Sequence, residues 1–589
     1  MGQQAALTKA ELTLHDQVEH LPKRKLIAVF GLLALTVLIN FIDQNGISVA
    51  LPTIAAELDA RDTISWAGTA SLLANTTFQM LWGRLSDIFG RKTVYISAIA
   101  LLSIADLLCG LSRNATSFYI FRGLAGVGGG GITNLAMIVV SDVVTLENRG
   151  KYQGIIGSMV GLGSIIGPFL AAAFAEGATW RGYFWLLSPC AALAAVLTYF
   201  YLPTKPRTAS WQDSVKKVDW WGSFAIFVGI VFLLIPISGG KFDMFPFKEV
   251  KNSMNEVVTT TGGAYFEWKS SMVICLLVLG GISLILFVII EWRVAKLPMM
   301  PGNYSPNINL TRSNNVLVDI YKNPAVSAML VQNFLMGASY QAVIYFVPLY
   351  LQNAHQFSII QSALIWIPLV GLQSGISILS GLYISKFKRY GECLWFGFGI
   401  WTLGSGLCLL LTRESPIGII IIPLIVIGIG VGCIFQPILV ALQAHSPKAR
   451  RAVIISNRNF CRCAGGACGL AVSAAVMQAS LRASLPTEYA NLAGSTFTLP
   501  EFDGDIPPAV LDAYMAASHS VFILQVPLIG LCFLGNFFIR DRGLELPDEK
   551  SPVQEQEPEQ AGEEQGIRME FAESDVNAEA GVKRTSRSK

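Results

Sequence analysis

Long apolar runs separated by short polar joints occupy the chain from about residue 26 to 540. A membrane-crossing helix needs about 20 predominantly apolar residues, and about fourteen windows approach or exceed that length, near 26–51, 64–83, 93–111, 117–143, 153–175, 183–202, 220–238, 272–292, 325–351, 359–385, 394–411, 417–441, 453–479 and 521–539. The pattern predicts an all-α integral membrane protein. The joint after the second window is short and strongly charged: Gly83-Arg84-Leu85-Ser86-Asp87-Ile88-Phe89-Gly90-Arg91-Lys92. So few residues between two spans make a hairpin, and its three cations place it on the cytoplasmic side, where Lys and Arg accumulate.

Counting outward from that hairpin, every second joint is basic. The inner ones carry Arg149 and Lys151, then Lys205, Arg207, Lys216 and Lys217, then Arg293, Lys296, Arg312 and Lys322, then Lys386, Lys388 and Arg389, then Lys448, Arg450 and Arg451. The outer joints hold mostly single cations, apart from the longer segment 239–269 with Lys241, Lys248, Lys251 and Lys269. An even number of spans with both termini cytoplasmic satisfies this alternation.

A weak repeat divides the chain further. Gly381 to Gly391, with Lys386, Lys388 and Arg389, follows the tenth window as the first basic hairpin follows the second, and many membrane proteins with a central site are built from repeated halves. The expected organisation is a cytoplasmic tail at 1–25, a six-helix bundle at 26–202, an inserted helix pair with flanking loops at 203–323, a second six-helix bundle at 324–540, and a disordered cytoplasmic tail at 541–589. The polar stretch before the first window argues against a cleaved leader.

Composition narrows the function classes. The 589 residues are 52% hydrophobic and 14% charged, against about 25% charged in a soluble domain, and the mean hydropathy is +0.51. A net charge of +3, spread over short joints, gives no reason to expect a nucleic-acid partner. Most of the ten cysteines lie inside apolar runs, where cysteine behaves as a small hydrophobe. Cys461 and Cys463 lack the second pair that a metal site needs. The five histidines show no metal spacing. No cofactor, metal or enzymatic activity is expected.

Ionisable groups at membrane depth are functional candidates by default. Asp43 lies about 17 residues into the first window, roughly 26 Å from the inner edge, and Arg122 about 5 residues into the fourth, roughly 8 Å from the outer edge. These depths match, so the two are expected to face each other, as a proton-coupling pair or as a buried ion pair that fixes packing. Asp106 in the third window is a second proton-site candidate, or else a solvated group near the outer interface. Arg458 and Arg462 are one helical turn apart, so they share a face; Arg458 can snorkel to the inner headgroups, and Arg462, deeper, is a candidate inner-gate or substrate contact. Tyr340, Tyr345, Pro348, Tyr350 and Gln352, with Phe435 and Gln436, could line an amphipathic cavity; Asn75, Gln79 and Gln332 are weaker candidates. The fifth window carries Gly154, Gly157, Gly161, Gly163, Gly167 and Pro168, a smooth, kinkable helix.

The hairpin pattern Gly83-x-x-x-Asp87-x-x-Gly90-Arg91-Lys92 resembles the signature loop of the major facilitator superfamily of secondary transporters. The resemblance extends over about 29–542 and is nearest to the fourteen-span drug:proton antiporter branch found in fungi: Asp43 with Ala50-Leu51-Pro52, Trp66, Arg122, the antiporter-motif glycines Gly154, Gly163 and Gly167 with Pro168, Trp180-Arg181, Pro348-Leu349-Tyr350-Leu351-Gln352, and Arg458 to Gly466 all fit. Asn45, Ala125, Ala171-Ala172 and Ser188-Pro189 depart from the branch pattern. The resemblance implies a monomeric proton-coupled antiporter in the plasma membrane that exports small amphipathic drugs, toxins or secondary metabolites. The alternative it implies is a vacuolar carrier of basic amino acids. It also implies that the loop controls switching, with Gly83 and Gly90 allowing close approach and Asp87 accepting hydrogen bonds from a helix N-terminus of the other half.

Overall fold

The computed structural model describes residues 23–60, 64, 66–203, 219–238, 271–293, 323–446, 451–489, 506–541 and 543–544. Of the tails expected at 1–25 and 541–589, residues 1–22, 542 and 545–589 lie outside these residues, as do the segments 204–218, 239–270 and 294–322 that flank the expected helix pair, with the cations they carry. The described chain is helical and without strands. In order the long helices are α1 (Lys23–Glu57), α2 (Trp66–Phe89), α3 (Arg91–Leu111), α4 (Ala115–Val143), α5 (Leu146–Gly177), α6 (Trp180–Tyr201), α7 (Trp220–Ser238) and α8 (Ser271–Arg293). They continue as α9 (Pro324–Asn353), α10 (Ile359–Phe387), α11 (Gly391–Leu407), α12 (Ile417–Gly432), α13 (Pro437–Ala444), α14 (Arg451–Ser484) and α15 (Pro508–Gly535).

Among the described residues, 12 helical stretches are long and apolar enough to cross a membrane by length and composition, with α12 and α13 counted together. The fourteen windows exceed that count by α2 and α7. In α2 the average apolarity is lowered by Asn75, Thr76, Thr77, Gln79 and Ser86, all buried against protein rather than facing lipid. In α7 the apolar stretch is short, Trp220–Leu233.

Packing groups the helices. α1 lies on α5 and α6, α2 on α4, and α3 on α4 and α6, around one core that includes Val29, Trp82, Tyr95, Phe118, Trp180 and Tyr183. In the second group α9 packs on α14 and α15, α10 on α12, and α11 on α12 and α15. α7 and α8 pair with each other, and a separate apolar cluster of Ala225, Ile226 and Phe287 with Trp66 and Met80 of α2 and Ala467 of α14 ties them to both groups.

Gly90 alone separates α2 from α3, at φ 89°. That left-handed backbone disfavours other residues, which explains how the hairpin turns within one residue. Its charges close on themselves: Arg91 pairs with Asp87 at 2.6 Å and with Asp142 of α4 at 2.8 Å, and Arg84 lies 3.9 Å from Asp87. Among the described residues, then, Asp87 is engaged by its own hairpin rather than by a helix end of the other half. An arginine four residues ahead on the same turn reaches it first; residues 447–450, leading into α14, lie outside the described set.

The two groups meet at the end that bears this hairpin. The Lys151 amide donates to Ser385 Oγ at 3.1 Å and Ser377 Oγ to the Gly154 carbonyl at 3.3 Å, joining α5 to α10. Asn134 of α4 donates to Ser456 Oγ at 2.8 Å and accepts from Asn459 at 3.1 Å, joining α4 to α14. Glycine makes this approach possible: a Cβ on Gly381 would fall on the Gly150 carbonyl, and one on Gly83 on the Ser456 hydroxyl. Gly163 and Gly167 face the other way, onto Leu38, Ile42 and Gly46 of α1. α5 thus presents one glycine face to its own group and another to the opposite group.

Gly381→Leu is expected to destabilise the protein by about 1–3 kcal/mol through overpacking, read as a lower melting temperature in detergent. Gly375→Leu on the same helix, where a Cβ meets nothing within 4 Å, should melt with wild type.

Candidate functional site

The deepest charge cluster sits inside the first helix group. Arg122 Nη1 donates to Asp43 Oδ1 at 2.6 Å, and both side chains are 1% exposed. The approach depends on α1 and α4 entering the membrane from opposite ends, which brings residues of complementary depth to one level. Arg122 also lies over the Phe184 ring of α6 at 5.8 Å, and Tyr183 beside it donates to the Ile42 carbonyl at 2.6 Å, bracing the turn before Asp43.

Asp106 joins this pair. It is 0% exposed, so the reading as a solvated interfacial group is set aside. Its carboxylate lies within electrostatic reach of Asp43, Arg122, Cys109 and Tyr183, and no donor among the described residues satisfies either oxygen. Two carboxylates therefore lie within reach of one guanidinium, and only Asp43 is bonded to it. Fully ionised, the cluster carries one negative charge in a nearly anhydrous site; one proton makes it neutral.

A second polar site lies where the two groups meet. Between α12 and α13 the helix breaks at 433–436. Pro437 has no amide proton, and the Leu439 amide bonds to the Gln436 carbonyl at 3.0 Å, which leaves the Phe435 carbonyl outside the helical ladder. Arg458 Nη2 takes that carbonyl at 2.5 Å, and its Nη1 reaches Asn459 Oδ1 at 2.8 Å. Arg458 is consequently buried, at 4% exposure. It does not snorkel, because a freed carbonyl inside the bundle satisfies it. Arg462 places its guanidinium over the Phe435 ring at 5.9 Å. Among the described residues neither arginine forms an ion pair with an acid.

The other cavity candidates separate into two sets. Gln436 is buried beside Gly157 of α5, with its Oε1 unsatisfied. Tyr340 packs on Phe435 at 4.8 Å between ring centres and donates to Gln373 Oε1 at 3.0 Å. Tyr345 is 44% exposed and points its hydroxyl toward Gly68 of α2. Tyr350 lies apart from these: its hydroxyl is held by His355 Nε2 at 2.7 Å and the Thr412 carbonyl at 3.2 Å, a tie within the second group. Gln352 lies at the same end of α9. Gln332 donates to Asn536 and the Cys532 carbonyl within that group as well, whereas Asn75 and Gln79 face Cys463 across the groups at 3.9 Å.

Sequence reasoning missed Asn134, Asn459 and Gln153. Asn134 is a polar side chain in an apolar run, the same signal that singled out Asn75 and Gln79, whereas Asn459 ends the polar run Ser456-Asn457-Arg458-Asn459 and Gln153 follows the basic joint of Arg149 and Lys151. Gln153 of α5 is fully buried, and both of its amide atoms lack partners among the described residues.

A profile described as Major Facilitator Superfamily matches residues 33–470. A protein named Citrate exporter 1, from Yarrowia lipolytica, is 43% identical over 551 residues, covering 92% of this chain and 76% of its own length. The MFS-type transporter clz4 of Cochliobolus lunatus is 40% identical over 541 residues, covering 92% and 90%. Efflux pump dotC of Dothistroma septosporum is 31% identical over 431 residues, covering 73% and 68%. Among solved structures, the human organic anion transporter MFSD10 aligns with a TM-score of 0.54 at 13% identity, over 88% of this chain and 100% of that one, a likeness of fold.

Removing one partner of the charge cluster leaves uncompensated buried charge. Arg122→Gln is expected to cost about 3–5 kcal/mol. Asp43→Asn added to Arg122→Gln should recover part of that loss, and a double-mutant cycle on melting temperature measures the coupling.

Proposed function

We propose, since the chain belongs to the major facilitator superfamily, that it is a proton-coupled antiporter exporting small organic compounds from the cytoplasm. It is a multi-pass membrane transporter of small molecules, not an enzyme. The observation that carries the coupling is the buried cluster of Asp43, Asp106 and Arg122. Two carboxylates within reach of one guanidinium take up one proton to become neutral and release it to become anionic, and charge at that depth is costly unless compensated. Proton occupancy therefore changes the energy of the first helix group as a whole. A carrier whose two groups rearrange around a central site can use that change to drive its return step.

Direction is supported by the basic hairpins and by the relatives. With the hairpin end cytoplasmic, the inter-group bonds of Asn134, Lys151 and Ser377 close the cytoplasmic side, which is an outward-facing arrangement. Both termini are then cytoplasmic, and export from the cell suits a monomer in the plasma membrane. Relatives named as an exporter and an efflux pump support export, and their cargoes span an organic acid and whatever the pump carries. The alternative of a vacuolar carrier for basic amino acids is disfavoured by Arg458 and Arg462: two arginines without acidic partners among the described residues repel a cation.

The test is efflux from preloaded vesicles with an imposed pH gradient, using citrate, an azole, a cationic dye and lysine as cargoes. Wild type should drive at least one of them with the gradient, and Asp43→Asn and Asp106→Asn should each lower that component about tenfold or more, about 1.4 kcal/mol. Asp43→Asn efflux that still follows the gradient as in wild type would overturn the assignment of the proton site.

A further inference from the structure

We propose that Arg458 and Arg462, with the broken turn bearing Phe435 and Gln436, form the cargo site, and that its cargo is a small organic anion carrying two or three carboxylates. This rests on the transporter reading above and names the class of molecule moved.

The site is positive and has no acidic ion-pair partner among the described residues. A charge at membrane depth is stable when an opposite charge or water meets it, and here two like charges stand one turn apart, about 6 Å along the helix axis. The contacts already made leave capacity: Arg458 and Arg462 each retain a buried, unpartnered Nε. Arginine forks match carboxylates in a paired geometry. Two forks separated by about one turn suit two carboxylates held a few carbons apart better than a single compact anion. The Phe435 ring under Arg462, with Tyr340 against it, offers an apolar face for the connecting carbons.

Location supports the same assignment. A helix interrupted at membrane depth is tolerated where its irregular backbone is buried in protein or lines a cavity, and such broken helices commonly form the substrate sites of secondary transporters. The interruption at 433–436 touches both helix groups. Phe435 accepts from Arg458 of the second group, while Gln436 meets Gly157 of the first. Asn459, the neighbour of Arg458, bonds to Asn134 of α4. An anion held here neutralises the arginines at the surface across which the groups must move.

The test is equilibrium binding of labelled citrate to the purified full-length protein in nanodiscs at one fixed pH, with competition by succinate, inorganic phosphate, lysine and triethyl citrate, an uncharged ester of the same skeleton. Saturable citrate binding is expected, displaced by succinate, displaced more weakly by phosphate, and not displaced by lysine or the ester. Arg458→Gln and Arg462→Gln should each weaken it tenfold or more, and Arg462→Lys less. Absence of saturable binding, equal competition by triethyl citrate, or wild-type affinity in both Gln variants overturns the proposal; the ester comparison uses wild type alone, so it decides even if the variants misfold. The assay has no pH gradient, so its failure leaves proton coupling standing, and a failure of gradient-driven efflux leaves the anion site standing.

Discussion

Charge neutrality inside a hydrocarbon slab is the constraint around which this structure is arranged. Asp43 and Arg122 satisfy it locally, each the other's counterion at 2.6 Å with almost no exposure. Their pairing forces α1 and α4 to a common register, and α6 closes over them through Tyr183 and Phe184. Asp106 then overfills the site with negative charge. The first helix group is thus stable as a structure yet electrostatically unfinished, a condition that a single mobile proton resolves.

The second group is unfinished in the opposite sense. Arg458 is partly satisfied by a carbonyl that the break before Pro437 releases, but a carbonyl supplies a dipole, not a charge. Among the described residues, the Asp43 cluster of the first half therefore holds surplus acid and the broken turn of the second half surplus base, with the hydrogen bonds of Asn134, Ser456 and Asn459 between them. Opposite surpluses at two sites give each site a different preferred occupant.

Much of the fold was legible because membrane helices announce themselves by length and apolarity. The Asp43–Arg122 contact was legible from depth alone, since two spans of opposite direction are straight enough to serve as rulers. What escaped was whatever depends on rotation about a helix axis or on backbone detail. Asp106 has a readable depth, but not a readable facing direction. Tyr350 looked like a cavity residue by type and is held by His355 and Thr412. Arg458 looked able to reach the interface until the broken turn supplied a nearer partner. α2 failed a hydropathy count for the same reason, since averaging counts polar side chains without knowing that they face protein.

The two glycine faces of α5 have a consequence for motion. Interlocked side chains must change rotamer before two helices can shift, and that repacking sets an energetic threshold at each step. Where Gly150 and Gly154 lie against the backbone of α10, there are few side chains to disengage. The contact is close, and apart from the bonds to Ser377 and Ser385 little of it is interlocked. A carrier built on such a surface can turn over without loosening its core.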